Sequence, residues 1–185
     1  DIADLREASN LASGEDQADF QMELARLLTQ RGFALGDQDC MNEAIQLHRR
    51  SVEAFTDEDA RAGARMQLAN SLTTLFELTG LQDTLREAIE NYRSALGGLG
   101  DQLSRAGCLM NLGNAYLDIF DSLGDADAVV APVEALREAS ALTPTWSSSP
   151  IMILENRANA SVAFLGARDR PEGFAGRINP MQEHK

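Results

Sequence analysis

Cysteine and histidine are the side chains in this sequence that could serve as a nucleophile and its general base. Cys40 and His48 lie eight residues apart. If one helix carries both, a rise of 1.5 Å per residue separates them by roughly 12 Å along its axis, too far for proton transfer. At steps of 44 residues His48 is followed by Tyr92 and Leu136, a column that indicates a packed imidazole. The sequence therefore predicts no catalytic residue and no enzymatic activity.

Paired aspartates could bind calcium. Asp37-x-Asp39 and Asp125-x-Asp127 have the spacing that opens a calcium-binding loop, but the glycine and the distal glutamate of that loop are missing from their places. We interpret Asp39, Asp83 and Asp127 instead as helix N-caps, whose carboxylates accept hydrogen bonds from unpaired backbone amides. The sequence holds no phosphate-binding loop, no CxxC motif and no histidine pair at a metal-binding spacing. It predicts neither a metal ion nor a cofactor.

Asparagine and glutamine offer a different chemistry, because a primary amide both donates and accepts hydrogen bonds and can pair with the main chain of an extended peptide. These side chains recur at steps of 44 residues in two columns, which we name the polar ladder: Arg26, Asn70 and Asn114 in one, and Glu23, Gln67 and Asn111 in the other. Asn156 and Asn159 continue the two columns with a step of 45. The alternative is that these amides bind neighbouring helices or water.

A methionine column runs beside the polar ladder. Its thioether side chains adapt to varied partners, but they also fill a core without any ligand. We therefore expect this column to be shared between the core and a groove. The ligand-binding residues predicted from the three columns are Met22, Arg26, Met66, Gln67, Asn70, Met110, Asn111, Asn114, Asn156 and Asn159.

Helices in a repeat of 44 residues position these columns. The period is clearest in two further columns: Leu24, Leu68 and Leu112, and Gly36, Gly80 and Gly124. A period of roughly 20–50 residues is typical of stacked-repeat proteins. In each unit the apolar spacing predicts a first helix, A, that ends at the glycine, and a second helix, B, that follows the aspartate cap.

The repeat divides the chain into a domain at 1–166 and a remainder at 167–185, which is a flexible tail or a degenerate final helix. Pro132 stands where Ala44 and Ala88 stand, which predicts that the third helix B starts late or bends. Because the chain starts at Asp1 within a repeat, we expect it to be an excerpt from a longer protein.

The parts of the domain are, in order, the end of a preceding repeat at 1–14, full repeats at 15–56, 57–100 and 101–144, and the first helix of a fourth repeat at 145–166. The A helices are predicted at 15–35, about 58–79 and about 101–123.

Composition favours an all-α fold, because aromatic residues make up only 5% of the chain while alanine and leucine dominate. The net charge of −13 disfavours binding to nucleic acid or to an anionic membrane. A basic peptide or protein is a better electrostatic match, although an acidic surface can also serve solubility alone.

Cysteine content and hydropathy bear on the compartment. Cys40 and Cys108 are too few for a disulfide scaffold, and the repeat register places them in different helix types, so we expect free thiols. No run approaches the roughly 18 apolar residues of a membrane span. The sequence predicts a cytoplasmic protein.

A set of spaced residues carries a family resemblance. The set comprises Leu109-x2-Leu112-Gly113-x2-Tyr116, Ala88-x3-Tyr92, and Ala139 with Pro144 five residues later. It resembles the signature of the tetratricopeptide (TPR) repeat, a helix–turn–helix unit. The unit here has 44 residues rather than roughly 34, and Leu109, Arg65 and Gln21 stand where the family commonly has tryptophan.

The resemblance implies an all-α, right-handed α–α superhelix in which helix A lines the concave face and helix B lies behind it. It also implies a scaffold that binds a protein or peptide, with an asparagine of the polar ladder clamping the peptide backbone. Long units of this type are also similar to the repeats that precede CHAT peptidase domains. The alternative is therefore a regulatory or structural segment of a larger multidomain enzyme. The exposed ends of a truncated stack leave self-association open.

Overall fold

The computed structural model describes residues 1–123 and 130–142. All regular secondary structure in this part of the chain is α-helical, which confirms the predicted all-α class. The helices are α1 Ile2–Leu11, α2 Gly14–Leu35, α3 Gln38–Ala54, α4 Glu58–Thr79, α5 Gln82–Leu96, α6 Gln102–Leu123 and α7 Val130–Leu142. The predicted A helices correspond to α2, α4 and α6, with each end within one residue.

Glycine ends the first two A helices. Gly36 has φ 63° and Gly80 has φ 68°, and both donate their backbone N–H to a carbonyl of the preceding turn. A residue with a Cβ rarely adopts this left-handed conformation, so glycine is favoured at both positions. The predicted stops are therefore confirmed at Gly36 and Gly80, while Gly124 lies outside the described residues.

The predicted N-caps are wrong by two positions. Asp37, not Asp39, caps α3, because its carboxylate accepts from the backbone N–H groups of Asp39 and Cys40. At the start of α5 the cap position is held by Leu81, without a side-chain cap. Asp39 and Asp83 lie instead in the first helical turn, where a negative charge interacts favourably with the helix dipole. Asp127 lies outside the described residues.

The helices pack in chain order. α2 packs on α3, α4 on α5 and α6 on α7, and we call these the first, second and third helix pairs. Successive pairs are joined by contacts of α3 with α4 and of α5 with α6, and also by contacts of α2 with α4 and of α4 with α6. The main core runs through α3, α4, α5 and α6, and includes Met41, Leu68, Leu72, Leu85, Ile89, Tyr92 and Leu112.

A close helix approach explains one glycine within the third pair. A Cβ at Gly113 would lie 2.7 Å from Cγ of Leu136, so α7 can pack this tightly on α6 only if that position has no side chain. Pro132 is fully buried in the first turn of α7. The residues before Val130 are not described, so the late start of this helix stays a prediction.

Several predicted features lie outside the described residues: the fourth helix A with Asn156 and Asn159, Pro144, and the segment 167–185. Among the helices that the structure describes, none combines the length and the apolar character needed to cross a membrane.

Candidate binding cleft

A cavity of about 190 Å³ opens between α4 and α6, and we call it the amide cleft. Small-molecule sites usually measure roughly 300–1,000 Å³, so this volume suits one side chain or a short stretch of backbone better than a metabolite. The residues that line it are Asn70, Thr73, Thr74, Glu77, Tyr92, Asn111 and Asn114. Three of them are asparagines of the predicted polar ladder.

Asn70 is the centre of a hydrogen-bond network at the base of the cleft. Its Oδ1 accepts from the hydroxyl of Tyr92 at 2.7 Å and from Nδ2 of Asn111 at 2.9 Å. Its own Nδ2 donates to Oε1 of Gln67 at 3.2 Å. Tyr92 is only 2% exposed, so its hydroxyl depends on protein partners for its hydrogen bonds. Asn70 therefore ties α4 to both α5 and α6.

Asn114 lies one step of 44 residues after Asn70, but its situation is different. Its side chain is half-buried and lines the cleft. It has no hydrogen-bond partner among the residues that the structure describes. Its amide is therefore available to donate and accept in the cleft, as a clamp on a peptide main chain requires.

The cleft has an acidic side. Partial burial and the nearby charge of Asp118 raise the pKa of the Glu77 carboxyl. A cation beside the Glu77 carboxylate would favour its charged form. Burial also raises the pKa of the Tyr92 hydroxyl, which stays a neutral hydrogen-bond donor at physiological pH. The cleft thus combines a free amide with a negative potential.

The equivalent face between α2 and α4 is built differently. Arg26 stands in the column of Asn70 and Asn114, and its guanidinium donates to both carboxylate oxygens of Glu23 at 2.6 and 2.8 Å. Across this face the hydroxyls of Thr29 and Ser71 lie 2.8 Å apart. Arg26 is therefore held in an ion pair on its own helix.

The methionine column lies at the edge of the core, and its predicted role in a groove stays a prediction. Met22, Met66 and Met110 are all half-buried, and Met66 packs against the main core cluster. Sδ of Met22 lies 3.3 Å from Nδ1 of His48. His48 itself is 2% exposed, and burial lowers its pKa to about 4.

The cysteines have partners other than a histidine. Sγ of Cys40 donates to Asp37 at 3.2 Å, and this contact raises the pKa of the thiol. Cys108 is buried with Sγ near the carbonyl of Tyr92, and burial raises its pKa to about 12. Both thiols are free. Within residues 1–123 and 130–142, no group of three or more histidine, cysteine or acidic side chains is placed to hold a metal ion.

The polar ladder did not reveal four residues of the cleft: Thr73, Thr74, Glu77 and Tyr92. A usable signal was present for three of them, because positions three, four and seven after Asn70 lie on the same helix face. Tyr92 comes from helix B, and no spacing along helix A could place it there.

Comparison with known proteins gives no family assignment. A scan against models of protein families finds no match, and a search of curated proteins finds no match either. Any function assigned to the chain therefore depends on the geometry and the chemistry of its clefts.

Proposed function

We propose that the chain is a peptide-binding module that holds an extended segment of a partner protein in the amide cleft. In this proposal the helix pairs are TPR-like units of a right-handed superhelix, and α2, α4 and α6 line its concave face. Packing in chain order, with contacts of α2 with α4 and of α4 with α6 in addition, supports the arrangement. The two free thiols support a reducing, cytoplasmic compartment.

The single observation that carries the proposal is the contrast between Asn70 and Asn114. A ladder used only to join helices would have every amide bonded to a neighbouring helix. Asn70 meets that expectation, while Asn114 lines an open cavity without a partner among the described residues. An amide in that position can bond the N–H and C=O of one residue in an extended chain.

The favoured partner is basic. The whole chain carries a net charge of −13, and the Glu77 carboxylate adds a local negative potential at the cleft. A lysine or arginine side chain beside the bonded backbone would enter that potential. Electrostatic attraction of this kind speeds association and selects against acidic partners.

The test is selection from a library of random extended peptides on the immobilised full chain, followed by affinity measurement on a selected peptide in solution. The variant is Asn114→Ala. The matched control is Asn42→Ala, which removes the same amide from an exposed position on α3, on the other side of the helix pair.

We expect lysine or arginine in the selected peptides, and binding weaker by about tenfold in Asn114→Ala, since two hydrogen bonds to a backbone are worth about 1–2 kcal/mol together. Asn42→Ala should bind like the parent chain. Selection of no peptide, or equal affinity for the two variants, would contradict the proposal.

A further inference from the structure

A second cavity, of about 420 Å³, lies between α5 and α7 with α6 beneath it, and we call it the α5–α7 groove. It is formed by helix B residues on both walls and is separate from the amide cleft. Its lining residues are Arg93 and Leu96 from α5, Leu109, Leu112 and Tyr116 from α6, and Glu134, Ala135 and Glu138 from α7. The volume falls within the range of roughly 300–1,000 Å³ seen for ligand sites.

Ion pairs bridge α1 to α3 and α3 to α5 earlier in the chain. Arg49 on α3 and Glu87 on α5 pair at 2.6 Å, and Arg6 on α1 and Glu43 on α3 pair at 2.8 Å. One step of 44 residues after Arg49 the sequence has Arg93, but one step after Glu87 it has Ala131. The same bridge therefore cannot form between α5 and α7.

Arg93 has a different partner as a result. It pairs with Glu90 on its own helix at 3.4 Å, and both side chains are more than half exposed. No carboxylate from α7 crosses to it among the described residues. Alanine stands in the sequence where the acidic member of the earlier pair stood, so that ion pair does not span the α5–α7 groove.

The floor of the groove also departs from the repeat. Leu28 and Leu72 are almost fully buried, but Tyr116, in the same column, is only half-buried and lines the groove. Burial raises the pKa of its hydroxyl. That hydroxyl has no hydrogen-bond partner within the described residues. With Leu109 and Leu112 it gives an apolar floor that carries one free polar group.

The charges at the mouth identify the kind of partner. Glu138 is held by Arg105 at 2.8 Å, and Arg93 is held by Glu90. Glu134 is exposed and has no ion-pair partner among the described residues. Among the described residues that line the groove, Glu134 is therefore the carboxylate without an ion pair, and it places a negative charge at the mouth.

We propose that the α5–α7 groove binds an amphipathic, basic helix of a partner protein. A trough between two helices, with a third as its floor, accepts a further helix whose apolar face carries anchors three and four residues apart. Leucine-sized anchors would contact Leu96 and Tyr116, and a lysine or arginine on the flank would pair with Glu134. This surface lies outside the amide cleft, so the two sites can fail or succeed independently.

The test uses the full chain and a model helix of about 14 residues, or four turns, with leucine on one face and lysine on the other. Fluorescence anisotropy of the labelled peptide measures the affinity. A second peptide with glutamate in place of every lysine tests the charge. The variants are Glu134→Lys, Tyr116→Leu, Asn114→Ala from the amide cleft, and the matched control Glu53→Lys, which makes the same charge change at an exposed position on α3. Thermal unfolding of each variant verifies the fold.

We expect the lysine peptide to bind and the glutamate peptide to bind far more weakly. Glu134→Lys should weaken the lysine peptide about fivefold, because one attraction becomes a repulsion, while Glu53→Lys should change it less than about twofold. Tyr116→Leu should weaken binding while leaving the protein folded.

Four results would overturn the proposal. The first is no binding of the lysine peptide, and the second is equal binding of both peptides. The third is an equal loss of affinity in Glu53→Lys and Glu134→Lys, which would show that the net charge of the protein, and not the groove, determines binding. The fourth is a loss in Asn114→Ala without one in Glu134→Lys, which would place the helix in the amide cleft.

Discussion

The described part of the molecule has two junctions between helix pairs: the first joins the first and second pairs, and the second joins the second and third pairs. Residues at the second junction lie 44 positions after their counterparts at the first. At the first junction Thr29 bonds Ser71 between the A helices, and Arg49 pairs with Glu87 between the B helices. At the second junction the partner residues are Ala115 and Ala131. Neither bond can be repeated there.

The consequence is visible on both sides of the second junction. Thr73, the counterpart of Thr29, donates to the carbonyl of Ala69 as Thr29 donates to that of Ala25, but it has an alanine, Ala115, in place of the serine and lines the amide cleft. Arg93, the counterpart of Arg49, lines the α5–α7 groove. The apolar residues that recur every 44 positions form the core at both junctions. The two junctions differ at polar positions, where a bond between helices present at the first is missing at the second. In this chain the two missing partners are Ala115 and Ala131, and each missing bond belongs to the side of the junction where one of the two cavities lies.

The largest expected effect is a loss of stability at low pH, and it comes from His48 in the first helix pair. Burial holds the pKa of His48 at about 4, below its ordinary 6.5. As pH falls from 7, the unfolded chain takes up this proton first, so stability is lost between about pH 6.5 and pH 4. The loss should reach about 2–3 kcal/mol at pH 4.5.

Urea unfolding at pH 7 and at pH 4.5 measures this loss. His48→Leu, which introduces the residue found at position 136 in the same column, should remove most of the difference between the two pH values. An identical pH dependence in the variant would show that His48 is not the titrating group.

The next effect separates the two asparagines. Asn70→Ala removes the acceptor of the buried Tyr92 hydroxyl and of Asn111, and should lower the free energy of unfolding by about 2 kcal/mol. Arg26→Ala, in the same column at the first junction, loses only an exposed ion pair and should leave stability unchanged. Urea unfolding of both variants measures the difference. Equal stability of the two would mean that the network around Asn70 does not hold the helices together.

A smaller effect on peptide binding is expected when the second junction is made to resemble the first. Ala115→Ser places a hydroxyl opposite Thr73, as Ser71 lies opposite Thr29. The new bond should draw α4 and α6 together across the amide cleft and weaken a selected peptide about fivefold, which corresponds to about 1 kcal/mol. Ala115→Gly, which adds no donor, is the control for binding. Unchanged affinity in the serine variant would show that the missing bond at this position does not control access to the amide cleft.

The smallest effect concerns the ion pair of the first junction. Arg49 and Glu87 are both 40% exposed, so their bond is largely solvated. Arg49→Ala should lower the free energy of unfolding by about 0.5 kcal/mol, and high salt should reduce the difference. A loss several times larger would mean that the pair is part of the core packing.

Helix positions could be predicted from the sequence because glycine has a local reason to end a helix. Gly36 and Gly80 adopt the left-handed conformation that the C-cap requires, and the apolar stripe fixes which face is buried. The N-caps were less predictable. Asp39 and Asp83 share a column, but a one-residue connection after Gly36 lets Asp37 cap α3, and the second unit has Leu81 at that place.

The candidate site was predicted only in outline. The 44-residue columns identified Asn70 and Asn114, but they present the two as equivalent. Their difference depends on Tyr92, which reaches Asn70 from helix B, while Leu136 stands at the corresponding position one unit later. Leucine has no hydroxyl to offer Asn114. The partners of an amide are set by neighbouring helices, and a periodic pattern along one helix does not contain that information.

The most direct test of the account is a nuclear magnetic resonance titration of the full chain with a selected basic peptide, following the side-chain amide signals of Asn114 and Asn70. We predict large, saturable shifts for Asn114, whose amide bonds the peptide, and small shifts for Asn70, whose amide stays bonded to its neighbours. Shifts of equal size at both residues, or binding that leaves the Asn114 signals unchanged, would contradict it.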